Sequence, residues 1–253
     1  MRARDTAGNI DPTPATRDWT VAQPSPPTSF RDVVLGTPGL IGLWPLGDPG
    51  STAGNLADAA GGRYRGGPVR VGALVAGTPD GARHFDGRDD RVAVAARGLS
   101  SPKRLTLALW VKREQARGSA RRVLVMGARA PLADGFTLLL DARGRPVFAL
   151  GGKRGRHASL TGPPLAKGRT YQLTAAYDGR RMSIYVNARR RAQRAYAGGI
   201  AYPRGWSLSF GGPARRRPGL AGFAGALDEI ALFGTPLGQP ALAQQFQLGS
   251  GGG

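Results

Sequence analysis

The chain contains no cysteine. Disulfides and Cys-ligated zinc are excluded, and the compartment stays open, since a cysteine-free chain suits either redox environment. Histidine is nearly absent: His84 and His157 do not stand at zinc spacing. No run approaches the ~18 apolar residues of a membrane-spanning helix. The opening Met1-Arg-Ala-Arg-Asp-Thr is too polar for a secretory leader. No glycine-rich phosphate loop follows a strand, so nothing points to a nucleotide site. Acidic residues are few, 16 against 36 basic ones, for a net charge of +20. Lysine is scarce too, at four.

The remaining 32 basic residues are arginine. That skew has two readings. A GC-rich genome writes Arg wherever a surface cation is tolerated, or the chain presents a surface for polyanions, which so one-sided a field attracts whatever its origin. Arg121-Arg122, Arg189-Arg190-Arg191 with Arg194, and Arg215-Arg216-Arg217 are the clusters. The last two read as turn-prone stretches beside strands at 182–186 and 223–233. Nucleic acid would be drawn by charge alone, because no aromatic-plus-basic strand motif of an RNA reader occurs.

Forty Gly and 20 Pro imply many turns, and a hydrophobic fraction of 41% is enough for a packed core. Both suit an all-β chain. Leu105, Leu107, Leu109 and Val111 alternate with Thr106, Ala108, Trp110 and Lys112, which predicts a strand with two distinct faces. Asp178-Gly179 between alternating runs predicts a hairpin. Gly222–Phe233 reads as another strand, but its alternation slips: Leu227 is on odd phase, Ile230 and Leu232 on even, with Asp228-Glu229 at the slip. One extra residue there, a bulge, would return all three apolar side chains to one core and turn a carboxylate aside. A short closing helix follows, with Pro240 in its first turn and Leu242 and Phe246 at i,i+4. Gly249-Ser-Gly-Gly-Gly then reads as a flexible tail.

These segments, in this order, resemble a laminin-G-like domain of the concanavalin A-like lectin class. The resemblance rests on Leu43-Trp44-Pro-Leu46-Gly-Asp48, a loop carrying Asp58, Phe85-Asp86-Gly87, Thr106 to Trp110-Val111, Tyr177-Asp-Gly to Tyr185-Val-Asn187, and the closing Leu227-Asp228-Glu229-Ile230. It covers roughly residues 36 to 248. Ala188 departs from the pattern where glycine usually stands, and Asn187 is then the residue for the left-handed turn position. Residues 1 to 28, with Ala7-Gly8-Asn9, Thr13-Pro14 and Trp19-Thr-Val21, resemble the end of a bacterial immunoglobulin-like or fibronectin-type module followed by a Pro-rich linker at 24 to 27.

The resemblance implies an all-β, two-sheet antiparallel jelly-roll sandwich over residues 29–248 with a short C-terminal helix, a remnant module at 1–28 and a tail at 249–253. It also implies a structural calcium ion held by Asp48 and Asp228, in keeping with the oxygen ligands a hard cation takes. Arg loops in such domains bind sulfated or carboxylated glycans, and the guanidinium fork suits those anions. Arg189, Arg190, Arg191, Arg194, Arg215, Arg216 and Arg217 are the candidates here. Tyr196, with Tyr185, Tyr202 and Trp206, lies close enough in sequence to stack on sugar rings, although a core position explains Trp206 equally well.

The expected function is non-catalytic carbohydrate binding or adhesion within a larger secreted or surface protein, with a polysaccharide or glycoprotein partner and polyanions as possible ligands. A structural spacer or protein-interaction domain is the alternative. Glycoside hydrolysis needs carboxylates projecting together into a cleft. Asp86-Gly-Arg-Asp89-Asp90 has turn composition instead, and Asp228 and Glu229, being adjacent, would face opposite sides of a regular strand.

Overall fold

A computed structural model describes residues 4–10, 29–48, 52–53, 62–65, 69–71, 73–76, 78, 80–95, 99–114, 119–129 and 133–251. Trp19, the linker at 24 to 27 and Asp58 lie outside the described residues.

In chain order the elements begin with helix α1 (Phe30–Gly36), then β1 (Leu40–Trp44), β2 (Thr52–Ala53), β3 (Gly62–Arg65), β4 (Val69–Val71), β5 (Ala82–Asp86), β6 (Arg91–Ala95), β7 (Leu105–Arg113) and β8 (Arg121–Gly127). They continue with β9 (Phe136–Leu140), β10 (Pro146–Gly151), β11 (His157–Thr161), β12 (Thr170–Tyr177), β13 (Arg181–Val186), β14 (Arg189–Ala195), β15 (Ser207–Phe210), β16 (Leu220–Gly222), β17 (Ala224–Phe233) and helix α2 (Gln239–Gly249). The strands form two sheets. The first runs β14-β13-β12-β7-β17-β5-β4, with β1 also on β17; the second runs β11-β10-β9-β8-β15-β6-β3-β2, with β16 on β8. Among the described residues all strand pairings are antiparallel except the three-residue β16–β8 pair. This is the expected sandwich with its C-terminal helix.

The core between the sheets is made by the apolar phase of each strand. Leu105, Leu107, Leu109 and Val111 of β7 meet Leu138, Phe148 and Phe210 of the second sheet. Thr106, Ala108 and Trp110, on the opposite phase of β7, are also buried, for a different reason. Trp110 points outward into a second cluster with Phe30, Val34, Val75 and Phe233, closed by the two helices. Phe246 of α2 stacks on the Trp110 ring at 5.9 Å, and Phe30 of α1 meets it edge-on at 6.2 Å. Such ring pairs add about 0.5–1.5 kcal/mol to the burial term. Gly249 is part of this packing: a Cβ there would stand 2.4 Å from the Trp110 ring, and its carbonyl accepts from the Ala76 amide at 2.9 Å. α2 runs through Gly249, where only a residue without a side chain fits under the indole.

The hairpins follow their turn chemistry. Asp178 Oδ1 accepts from the amides of Arg180 and Arg181 at 2.7 and 2.6 Å, and Gly179 takes φ 95°. At the β13–β14 turn both Asn187 (φ 50°) and Ala188 (φ 58°) are left-handed. Asn187 takes the role expected of it, and Ala188 shares it at the steric cost of its methyl group.

Candidate functional site

β17 is the strand on which the first sheet converges. One edge pairs with β7, while the other pairs first with β5 (Ala224 to Leu227) and then with β1 (Ile230 to Phe233). Asp228 and Glu229 sit at the changeover. The register with β7 shifts between Asp228 and Ala231, and Glu229 has φ 48°. Leu227, Ile230 and Leu232 all enter the same core. The phase slip in the sequence is thus a bulge. Both carboxylates are buried, each residue 1% exposed.

A buried carboxylate needs partners. Asp228 Oδ2 accepts from the Leu74 amide at 2.8 Å. Glu229 Oε1 accepts from Arg31 Nε at 2.7 Å and from Arg31 Nη2, which also reaches Asp80 Oδ1. Glu229 Oε2 is buried and has no hydrogen-bond partner among the described residues. Burial pushes the Asp228 carboxyl up to about 8, and the neighbouring Glu229 adds to the rise. Burial also pushes Glu229 up to about 7, against the pull of Arg31.

Asp48 lies close by but contributes a main-chain oxygen. Its carbonyl accepts from Arg83 Nη2, and the Leu46 carbonyl accepts from Arg83 Nε at 3.3 Å. Arg83 is 1% exposed. Asp80 packs over Gly47, where a Cβ would stand 2.3 Å from the Asp80 Cβ. Around the bulge, Glu229 and Asp80 thus share the Arg31 guanidinium, and the Leu46 and Asp48 carbonyls share that of Arg83. Neither Arg31, Asp80 nor Arg83 stood out in the sequence. Arg31 and Glu229 are 198 positions apart, which no local pattern reveals. Arg83 did leave a signal, because it shares the buried phase of β5 with Phe85.

A second acidic group stands at the β5–β6 turn. Asp86, Asp89 and Asp90 each bring a carboxylate oxygen within 4.8 Å of the others and can hold a metal ion. Turn geometry explains the same residues: Asp90 Oδ2 accepts from the Asp86 amide at 2.9 Å, and Asp86 Oδ1 from the Arg88 amide at 2.7 Å.

This turn forms one wall of a cleft of about 620 Å³, whose lining includes Arg88, Asp89, Arg91, Arg216 and Arg217. Arg217 is shared with an adjoining depression of about 380 Å³ that also holds Arg129, Arg215 and the edge of Trp206. The Arg215–Arg217 segment is therefore a ridge between two hollows at the surface of the second sheet. The Arg189 cluster is placed differently. Arg189, Arg190, Arg191 and Arg194 lie on β14, the edge strand of the first sheet, and all are exposed. The expectation of a loop there is corrected: the register shift against β13 falls at Arg191, and the bulge hides the strand period. Arg194 Nη1 donates to the Ser159 carbonyl of β11 at 2.7 Å, tying the two sheets together at this edge.

The aromatic candidates are mostly structural. Tyr196 is 9% exposed, its ring packs against Tyr177 at 5.8 Å, and its hydroxyl donates to the Arg156 carbonyl at 3.2 Å. Its face is filled by protein. Trp206 is 7% exposed and donates to Ser101 Oγ at 3.0 Å. Tyr202 donates to the Pro102 carbonyl at 3.1 Å. Arg122 reaches the Gly87 and Gly222 carbonyls at 3.3 and 3.2 Å.

A family model described as the concanavalin A-like lectin/glucanases superfamily, in its laminin G-like branch, matches residues 75–243. The chain belongs to this superfamily. The match leaves residues 1–28 outside it, and nothing supports an immunoglobulin-like remnant there. Among solved structures, this laminin G-like chain is similar to domain 4 of an extracellular arabinanase from Geobacillus stearothermophilus, in complex with arabinotriose. The TM-score is 0.62 at 16% identity, covering 82% of this chain and 98% of that one. It is also similar to the receptor binding domain of a botulinum neurotoxin C/D mosaic serotype (TM-score 0.63, 10% identity, 83% and 51% covered). A third is a Trypanosoma rangeli sialidase in complex with an inhibitor (TM-score 0.59, 16% identity, 84% and 33% covered). The chain thus spans nearly all of the arabinanase domain, about half of the toxin chain and a third of the sialidase. At these identities the likeness is one of fold. No curated protein sequence matches the chain. No helix among the described residues is long and apolar enough to cross a membrane.

Proposed function

We propose that the chain is a carbohydrate-binding or adhesion module of a larger secreted or cell-surface protein, without catalysis of its own, and that it favours acidic polysaccharides. The observation that carries this reading is the Arg215–Arg217 ridge between two hollows, with Arg88 and Arg91 across the larger one. Guanidinium groups converging on a concave surface bind carboxylate or sulfate oxygens in pairs. The arabinanase domain seen with arabinotriose supports a glycan ligand, and its extracellular parent supports the location. Against catalysis, Asp228 and Glu229 are buried in the sheet, and Asp90 is tied into its turn.

The reading is tested by affinity electrophoresis in acidic and neutral polysaccharides at two salt concentrations, with the wild type and Arg216→Gln/Arg217→Gln. Retention by the acidic polymer, weakened by salt and lost in the double variant, is the expected result. Retention that the double variant leaves unchanged would sink it. A second reading, a spacer or protein-interaction domain with background arginine, is favoured by β14: charge on an edge strand discourages pairing with other sheets. Failure to retain any polysaccharide would favour that reading.

A further inference from the structure

Near the β17 bulge, two guanidinium groups collect oxygens from separate parts of the chain. Glu229 Oε1, Asp80 Oδ1 and the Leu46 and Asp48 carbonyls come from a strand and two loops, the way calcium gathers its ligands. Yet each of these four oxygens accepts a hydrogen bond from a guanidinium: Arg31 takes the two carboxylates and Arg83 the two carbonyls. Arg31 is well placed for this. It stands on α1, is 18% exposed at the side chain, and its Nη2 touches both Asp80 and Glu229. The planar fork suits carboxylates in directions that a spherical ion does not require. The substitution is incomplete. Glu229 Oε2, on a side chain with no exposed surface, has no hydrogen-bond partner among the described residues.

We propose that Arg31 is the built-in cation of this site: its guanidinium holds Asp80 and Glu229 together as a divalent ion would, and cutting it back uncovers a calcium site on the same oxygens. The reasoning is steric and electrostatic. While Arg31 is present, an ion at Glu229 would sit within contact distance of a guanidinium, and like charges at such range repel strongly in a buried setting. Removing the guanidinium leaves two carboxylates facing a gap, with Glu229 Oε2 and the now free Oε1 able to bind an ion in the bidentate mode that calcium accepts. The native domain then needs no calcium at the bulge, and α1 is fastened to β17 by a side chain instead of a dissociable ion.

The test measures the melting temperature of the full chain in millimolar calcium and in chelator, for wild type, Arg31→Ala, Arg31→Lys, and each combined with Glu229→Gln. Because Asp86, Asp89 and Asp90 can take an ion independently, only a calcium response removed by Glu229→Gln is assigned to the bulge. The proposal expects no such response in the wild type or in Arg31→Lys. It expects Arg31→Ala to melt lower in chelator, with calcium restoring at least half of the loss unless Glu229 is also replaced. Should Arg31→Ala fail to fold in chelator, the soluble yield on refolding with and without calcium is the readout, and recovery only with calcium supports the proposal. A wild-type calcium response abolished by Glu229→Gln would overturn it, as would an Arg31→Ala protein no more responsive than wild type.

Discussion

Arg83 and Arg190 belong to strands of the same sheet and have the same chemistry, yet they do opposite things. Arg83 lies on β5 beside the central strand, is 1% exposed, and gives its hydrogen bonds to two carbonyls where the chain crosses from β1 toward the loop at 48. Arg190 lies on the edge strand β14, opposite Tyr185, with its side chain in water. The difference lies in the neighbours each position offers. A buried guanidinium with satisfied donors fixes a unique local geometry and is costly to disturb, whereas an exposed one on an edge is tolerated almost anywhere and guards against wrong pairing. A net charge therefore says little until each charge is placed.

The comparison is broken most severely at Arg83. Arg83→Met leaves the Leu46 and Asp48 carbonyls without their guanidinium donor, and we expect a loss of about 3 kcal/mol in urea unfolding. A loss comparable to that of Arg190→Met would show that burial does not separate the two arginines.

The pH profile comes next. In the folded state Asp228 holds its proton up to about 8, far above the ordinary carboxylate range, while at Glu229 the Arg31 guanidinium opposes the rise. Folding therefore takes up protons, so this contribution is complete below about pH 4 and is lost as pH rises through about 8. Stability should fall over that window, and Asp228→Asn should flatten the fall while making the protein more stable at the alkaline end. A profile that rises over the same window, or is unchanged in the variant, would show that Asp228 is ionised.

The smallest effects belong to the exposed partners in the comparison. Replacing Arg189, Arg190 and Arg191 by Gln should change stability by no more than about 0.5 kcal/mol per residue. Its readout is light scattering, where aggregation should increase as the edge loses its charge. Deleting residues 1–28 should cost less than about 1 kcal/mol, and a larger loss would place that segment in the domain core.

What the sequence made legible follows from whether the cause was local. Alternation in β7, the Asp178-Gly179 turn and the slip at Asp228 are written in consecutive residues, and each came out as read. α1 was not anticipated, because its seven residues are held by Trp110 and Glu229, far along the chain. In sequence β14 reads as a loop, because its arginines carry no hydrophobic period and the bulge at Arg191 breaks the alternation. The Arg215–Arg217 ridge was legible, but its partners Arg88 and Arg91 were not, since the cleft exists only once the 86–90 turn is folded against residues 212–222. Tyr196 shows the converse: proximity in sequence to an Arg cluster did not keep its ring at the surface.

The place of β17 also sets an order of events. It is the last strand made, yet β1, β5 and β7 all need it as a neighbour. Closing the 198-residue span from Arg31 to Glu229 costs roughly 5 kcal/mol in loop entropy, which favours slow folding governed by distant contacts. The β12–β13–β14 meander needs only near neighbours and is free to form early. During synthesis it would stand as a half-built sheet, with three strands elsewhere still missing their partner. Its arginine-laden rim would then do its most useful work, keeping two emerging chains from joining edge to edge before β17 arrives.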